Sequence, residues 1–182
     1  MSRDDLTFIS YTVLALVGRG GASPHDLVQM MRVGRIYHAA APSQYYAEPK
    51  RLERLGLLSS TREPGRTRER TVYRLTDAGI AALRAWMDEP TQFPRLAGEP
   101  PVRVLSTDLV GEPAVRASLL AMRAELAALR EGIGEAEERA AALPHRTKYL
   151  LLSHGLARHV IEAYERWLDE VERELAADEP GA

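Results

Sequence analysis

Between Ser43 and Arg54 the chain gathers side chains that bond to phosphates and base edges: Ser43, Gln44, Tyr45 and Tyr46, followed by Lys50, Arg51 and Arg54. A second cluster, Arg66, Arg68 and Arg70, crowds the tip of a hairpin pattern. Arginine forks to guanine or to phosphate, while Ser, Gln and Tyr bond to phosphates or base edges. The chemistry on offer is nucleic-acid contact. Catalytic and metal-binding patterns are weak by comparison. His145, His154 and His159 do not fall on one helix face, so no metal site is expected. The acid pairs Glu137-Glu138 and Asp169-Glu170 sit on expected exposed helix faces, and neither a nucleophile elbow nor a Gly-rich phosphate loop is recognisable. A protein that is not an enzyme, with no cofactor, is the expectation.

Runs of charge are more often solvated surface than binding sites, so the elements that carry this one decide its meaning. Ser43 to Leu55 has helical spacing, with Leu52 and Leu55 on one face and the cations on others, and Gly56 stands where a left-handed residue ends a helix. If Ser43 is the N-cap, Pro49 falls in the second turn. Either the helix is kinked there or its regular part starts at Glu48. Leu57–Thr61 and Thr71–Leu75 read as strands around the turn Glu63-Pro64-Gly65-Arg66. Upstream, Leu6 to Val17 reads as a buried helix. Ser23-Pro24-His25-Asp26 starts a second one that ends near Gly34, and Thr76 or Asp77 caps a fourth through Ile80, Leu83, Trp86 and Met87. Helix, turn, helix, connection, helix and hairpin is the order of a winged helix-turn-helix.

Composition agrees with that order. The net charge is −2, yet Arg32 to Arg74 holds 10 basic against 4 acidic residues, a local basic stripe on a nearly neutral chain. Cysteine is absent, which removes disulfides and thiolate chemistry and makes a reducing, cytoplasmic setting the expectation. The apolar run LTFISYTVLALV is too short to span a bilayer, and Asp4 and Asp5 before it have the wrong sign for a secretory leader, so no membrane association is expected.

Glu89 to Pro101, rich in proline, reads as a linker, dividing the chain into residues 1–88, 89–101 and 102–182. Beyond it, Val115, Leu119, Met122, Leu126, Leu129, Ile133, Ala136, Ala140 and Leu143 alternate steps of three and four, the pattern of a coiled-coil seam. A last helix from about Lys148 to Ala176 carries two apolar rows. One is Leu152, Leu156, Val160, Ala163 and Trp167; the other is Leu150, Ala157, Ile161, Tyr164, Leu168, Val171 and Leu175. One antiparallel neighbour needs one stripe, so the second implies a homodimer through these helices. Phe8, Tyr11, Trp86, Phe93, Met122, Tyr164 and Trp167 are candidates for an effector pocket between the domains, suited to a small apolar or aromatic compound. For any one of them core packing is the simpler role.

The run Ser43-Gln44-Tyr45-Tyr46, then Lys50-Arg51-Leu52-Glu53-Arg54-Leu55-Gly56-Leu57, then Tyr73-Arg74-Leu75-Thr76-Asp77-Ala78-Gly79, resembles the PadR family of winged-helix transcriptional regulators. The resemblance extends over nearly the whole chain, and the paired C-terminal helices are similar to the family's longer subgroup. It implies a mainly α fold: a winged helix-turn-helix of three helices plus a two-stranded wing, then a helical dimerisation domain with two long antiparallel helices. It further implies a homodimeric repressor of double-stranded DNA sites, released by a small molecule, with the third helix in the major groove and the wing on the flanking backbone. Two positions depart from the family pattern: Tyr45 replaces the usual isoleucine, and Pro49 a common leucine. The alternatives are a winged helix that docks an acidic protein partner, and a MarR-type regulator, against which the heptad seam after the wing argues.

Overall fold

The computed structural model describes residues 6–34, 36, 40–65, 69–94 and 98–176. The chain divides into two compact units, Met1–Phe93 and Pro94–Ala182.

The first unit contains α1 (Phe8–Val17), α2 (Pro24–Gly34), α3 (Pro42–Arg54), β1 (Leu58–Glu63), β2 (Arg70–Leu75) and α4 (Asp77–Met87). Thr7 rather than Leu6 opens α1, its backbone N–H donating to Ser10 Oγ at 2.9 Å. Val13, Leu14 and Val17 point inward and join Leu27, Leu52, Leu57, Leu58 and Tyr73 in one core. Ser23 and Asp26 cap α2 reciprocally: Asp26 N–H donates to Ser23 Oγ, and Ser23 N–H to Asp26 Oδ2. Across the wing, Leu58 pairs with Leu75 and Glu63 with Arg70, so each strand reaches one or two residues nearer the tip than the sequence suggests. A bridge between Ala22 and Tyr73 fastens the α1–α2 turn to β2. Thr76 caps α4, its Oγ1 accepting from Gly79 N–H at 3.1 Å and donating to the Gly56 carbonyl at 2.7 Å. Of the expected α4 face, Leu83 and Trp86 pack on the core, while Ile80 and Met87 are exposed.

One expectation about α3 is corrected. Its N-cap is Ala41, not Ser43, because Pro42 occupies the first helical position, where a missing N–H costs nothing. Of the two alternatives for Pro49, the one that places it inside the helix holds. The proline is fully buried, and its ring removes one backbone hydrogen bond of the helix. Gly56 has φ 74° and ends the segment in the left-handed region, as expected.

The second unit begins with two short helices the sequence did not announce, α5 (Pro100–Leu105) and α6 (Thr107–Val110). Pro100 and Pro101 stand at the start of α5. The heptad seam is divided between α7 (Glu112–Leu120) and α8 (Met122–Ala140), with Ala121 at the joint still in right-handed helical geometry. Val115, Leu119, Leu126, Ile133 and Ala140 of this seam are buried against the long α9 (Thr147–Glu174), whose Ala157, Ile161, Leu168 and Val171 face them. Leu143 lies past the end of α8 and is exposed.

Ion pairs line the antiparallel pair at seven-residue steps. Arg116 reaches Glu172, Arg123 reaches Asp169 and Glu172, Arg130 reaches Glu165, and at the fourth step the signs reverse as Arg158 pairs with Glu137. The hydrogen bond from Arg158 holds the Glu137 carboxyl below its ordinary range, against a smaller rise from burial.

Candidate nucleic-acid interface

On α3, Tyr45, Glu48, Pro49 and Leu52 are buried, the spacing of one inward face. The opposite row is Ser43, Tyr46, Ala47, Lys50 and Arg54, all exposed. At 100° per residue these five span an arc of about 100°, a continuous stripe along the helix. It combines a hydroxyl, a phenol, a methyl and two cations, the side chains that read base edges and phosphates. Ala47 was not singled out from sequence. Counting helical steps from Ser43 would have found it.

The remaining helix candidates have other employment. Tyr45 is buried at 2% exposure, its hydroxyl has no hydrogen-bond partner among the described residues, and burial raises its pKa. Gln44 Oε1 accepts the Ala41 N–H at 3.2 Å, closing the start of the helix. Arg51 turns back toward the body of the unit. Its Nε donates to Glu48 Oε2 at 2.9 Å, and its Nη2 to Glu48 Oε1 at 2.7 Å and to Ser10 Oγ at 2.9 Å. Ser10 Oγ in turn donates to Glu48 Oε1 at 2.7 Å. Burial raises the Glu48 pKa, but the hydrogen bonds from Arg51 and Ser10 outweigh it, and the carboxyl stays below its usual range.

Arg66 and Arg68 lie outside the described residues. Arg70 pairs with Asp26 at 3.3 Å and with Glu63 at 3.9 Å, which ties the wing to the start of α2. Arg74 donates to Glu63 at 2.6 Å and to Thr61 at 2.7 Å, and its hydrogen bond is the main cause of a lowered Glu63 pKa. Arg62, missed in the sequence, projects from β1 with its side chain 81% exposed, 3.5 Å from Glu69. Ser60 Oγ donates to Glu53 at 2.5 Å, joining the wing to the end of α3. The helix stripe and the wing are thus fixed to one another by side chains as well as by the short chain between them.

The effector candidates separate by unit. Tyr11 and Trp86 stack at 4.6 Å between centroids, 7° from parallel, as part of the first unit's packing, and Phe8 and Phe93 are exposed. Met122, Tyr164 and Trp167 belong to the second unit, where Tyr164 and Trp167 meet edge to face at 6.3 Å. A cavity of about 250 Å³ in the second unit is lined by other residues, among them Val102, Arg103, Ser106, Val110 and Val115. Among the described residues there is no group of three His, Asp or Glu placed to hold a metal ion, and no helix is long and apolar enough to cross a membrane.

No family model matches the sequence, and no curated protein matches it. Solved structures do resemble it. Bacillus subtilis PadR in complex with operator DNA superposes with a TM-score of 0.69 at 18% identity, covering 92% of this chain and 96% of that one. The same protein in complex with p-coumaric acid gives 0.59 at 22% identity, covering 90% and 95%. The PadR-like regulator BC1756 of Bacillus cereus gives 0.72 at 16%, covering 96% and 97%. The Vibrio cholerae virulence activator AphA gives 0.70 at 23%, covering 91% and 96%. At these identities the likeness is one of fold: over most of its length the chain has the winged-helix and helical architecture of PadR-family transcriptional regulators.

Proposed function

We propose that this protein is a sequence-specific DNA-binding transcriptional regulator, a homodimeric, cytoplasmic repressor released by a small apolar or aromatic effector. The observation that carries the reading is the exposed stripe Ser43, Tyr46, Ala47, Lys50 and Arg54, set beside an Arg-rich wing in a winged-helix unit. That stripe has the width of a major-groove reading face, and the wing cations, Arg66, Arg68 and Arg62 among them, supply phosphate contacts. Residues 1–88 form the DNA-binding part, 89–101 connect, and 102–182 assemble the dimer.

The dimer reading is supported by α9. Its row of Leu152 and Leu156 is 65% and 58% exposed, beside Tyr149 at 66%, an apolar strip that a second copy would cover. Two-fold symmetry then asks for two related half-sites about one helical turn, or 34–36 Å, apart. A regulator with the effector chemistry of Bacillus subtilis PadR would take an aromatic acid; the compound for this chain is chosen by its own pocket.

The deciding experiment is duplex binding across a salt series, using sites recovered from a random pool. Affinity that falls steeply and linearly in log salt is expected, since each neutralised phosphate releases counterions. Negligible, salt-insensitive binding would sink the proposal. The sign of regulation is read from a reporter behind the recovered site, where a repressor lowers expression and an activator raises it.

A further inference from the structure

The group formed by the buried Ser10 and Glu48 with the partly exposed Arg51 joins helix α1 to helix α3 across 38 residues of sequence. Glu48 is 9% and Ser10 0% exposed, so both have left water. Every valence of the serine hydroxyl is used: it donates to Glu48 and accepts from Thr7 N–H and from Arg51. Both carboxylate oxygens of Glu48 are held by the guanidinium fork of Arg51. Planar bidentate pairing of this kind is directional in a way that apolar packing is not. Rotating α3 about its axis by even a fraction of a turn would break it.

From sequence, Arg51 and Arg54 look equivalent, two cations of one basic helix. The geometry separates them. Arg54 is exposed on the stripe, whereas Arg51 lies about 60° around the helix from Arg54 and turns its guanidinium to Glu48 and Ser10.

We infer that Arg51, Glu48 and Ser10 are positioning residues for DNA reading: together they set the rotation of α3 against α1, and Arg51 does not contact the duplex. The inference rests on the DNA-binding reading. Losing the group lets the stripe roll relative to the groove. Base discrimination then falls, while the number of phosphates neutralised stays the same.

Two quantities separate this from a contact role. One is the affinity ratio between a duplex recovered by the wild-type protein from a random pool and a scrambled duplex. The other is the slope of log affinity against log salt, which drops by about one when a phosphate contact is lost. For Arg51→Met and Glu48→Gln, the expectation is a loss of tenfold or more in the ratio with an unchanged slope. Arg51→Lys, which keeps the charge but not the fork, should lose discrimination as well. A slope reduced by about one in Arg51→Met overturns the inference, and so does an unchanged ratio in both variants. If either variant fails to melt cooperatively, Ser10→Ala, which removes one hydroxyl, is read the same way: a reduced ratio supports the inference and an unchanged one overturns it. Wild-type protein without salt-dependent binding would instead overturn the DNA reading, and this with it.

Discussion

At the scale of single residues, one polar atom among the described residues of the first unit's interior is at odds with its surroundings. Tyr45 Oη is buried without a partner, and an unsatisfied buried hydroxyl costs about 1–3 kcal/mol. Tyr45→Phe keeps the ring and removes the hydroxyl. We expect the melting temperature to rise by a few degrees with duplex affinity unchanged, and a fall would mean that the hydroxyl is bonded in solution. Arg54→Ala should lower the salt slope of duplex binding by about one, because this cation is on the exposed stripe. Residue types alone do not reveal such differences. Ser, Gln, Tyr and Arg in the α3 segment announce polar contact chemistry, but Arg51 is held both by Glu48 one turn earlier and by a serine 41 positions earlier, and the long-range half of that pairing leaves no local pattern. Tyr45 likewise reads as a contact residue until the helix is rotated onto its core.

At the scale of elements, what was legible was what is decided locally. The Ser23-Pro24-Asp26 start of α2, the left-handed Gly56 and the Thr76 cap each depend on residues within a turn of one another. Ser43 reads as the start of α3 because it is polar and follows a proline, yet Pro42 itself takes the first helical position, and α5 and α6 have too few residues for periodicity to show. Gly79 illustrates a constraint the sequence carries without explaining. A Cβ there would press into the Leu57 carbonyl oxygen, a backbone atom that cannot swing away. Gly79→Ala should therefore destabilise the first unit by about 1–3 kcal/mol, the cost of overpacking, measured by denaturant midpoint. A neutral result would mean that α4 shifts freely on β1. Thr76→Ala should cost about 1 kcal/mol, typical of a lost N-cap.

At the scale of the whole molecule, the exposed α9 row and the partly buried titrating groups make separate predictions. Leu152→Glu with Leu156→Glu places charges on the strip assigned to the partner copy. Sedimentation should show monomer at micromolar concentration with helical content retained, whereas an unchanged dimer would move the interface elsewhere. His154 sets a pH dependence of the second unit. Burial lowers its pKa, with Glu137 pulling upward and Arg158 and Arg139 pushing down. The folded value is below the unfolded value of 6.5, so the unfolded chain binds the proton more readily. Stability is complete above that pH and declines as pH falls through it. Glu48 and Glu137, whose pKa values are lowered in the fold, contribute stability lost only further down, below the unfolded carboxylate value of 4.5. Melting temperature between pH 7.5 and 5 should therefore fall more for wild-type protein than for His154→Gln; equal slopes would assign the loss to other groups.

The reversed fourth step of the α8–α9 ion pairs also bears on how the hairpin finds its alignment. A seven-residue apolar repeat looks the same to itself after sliding by seven, so a seam alone permits a shifted pairing. Four identical steps would slide with it. Because Glu137 and Arg158 exchange signs relative to Arg130 and Glu165, sliding one way brings Glu137 toward Glu165, and sliding the other brings Arg130 toward Arg158. Like charges meet in either slipped form. The ladder thus acts as a one-position key. Exchanging Glu137 and Arg158 would preserve every attraction in the native alignment while removing that key, and kinetically trapped, misaligned chains should then appear during refolding.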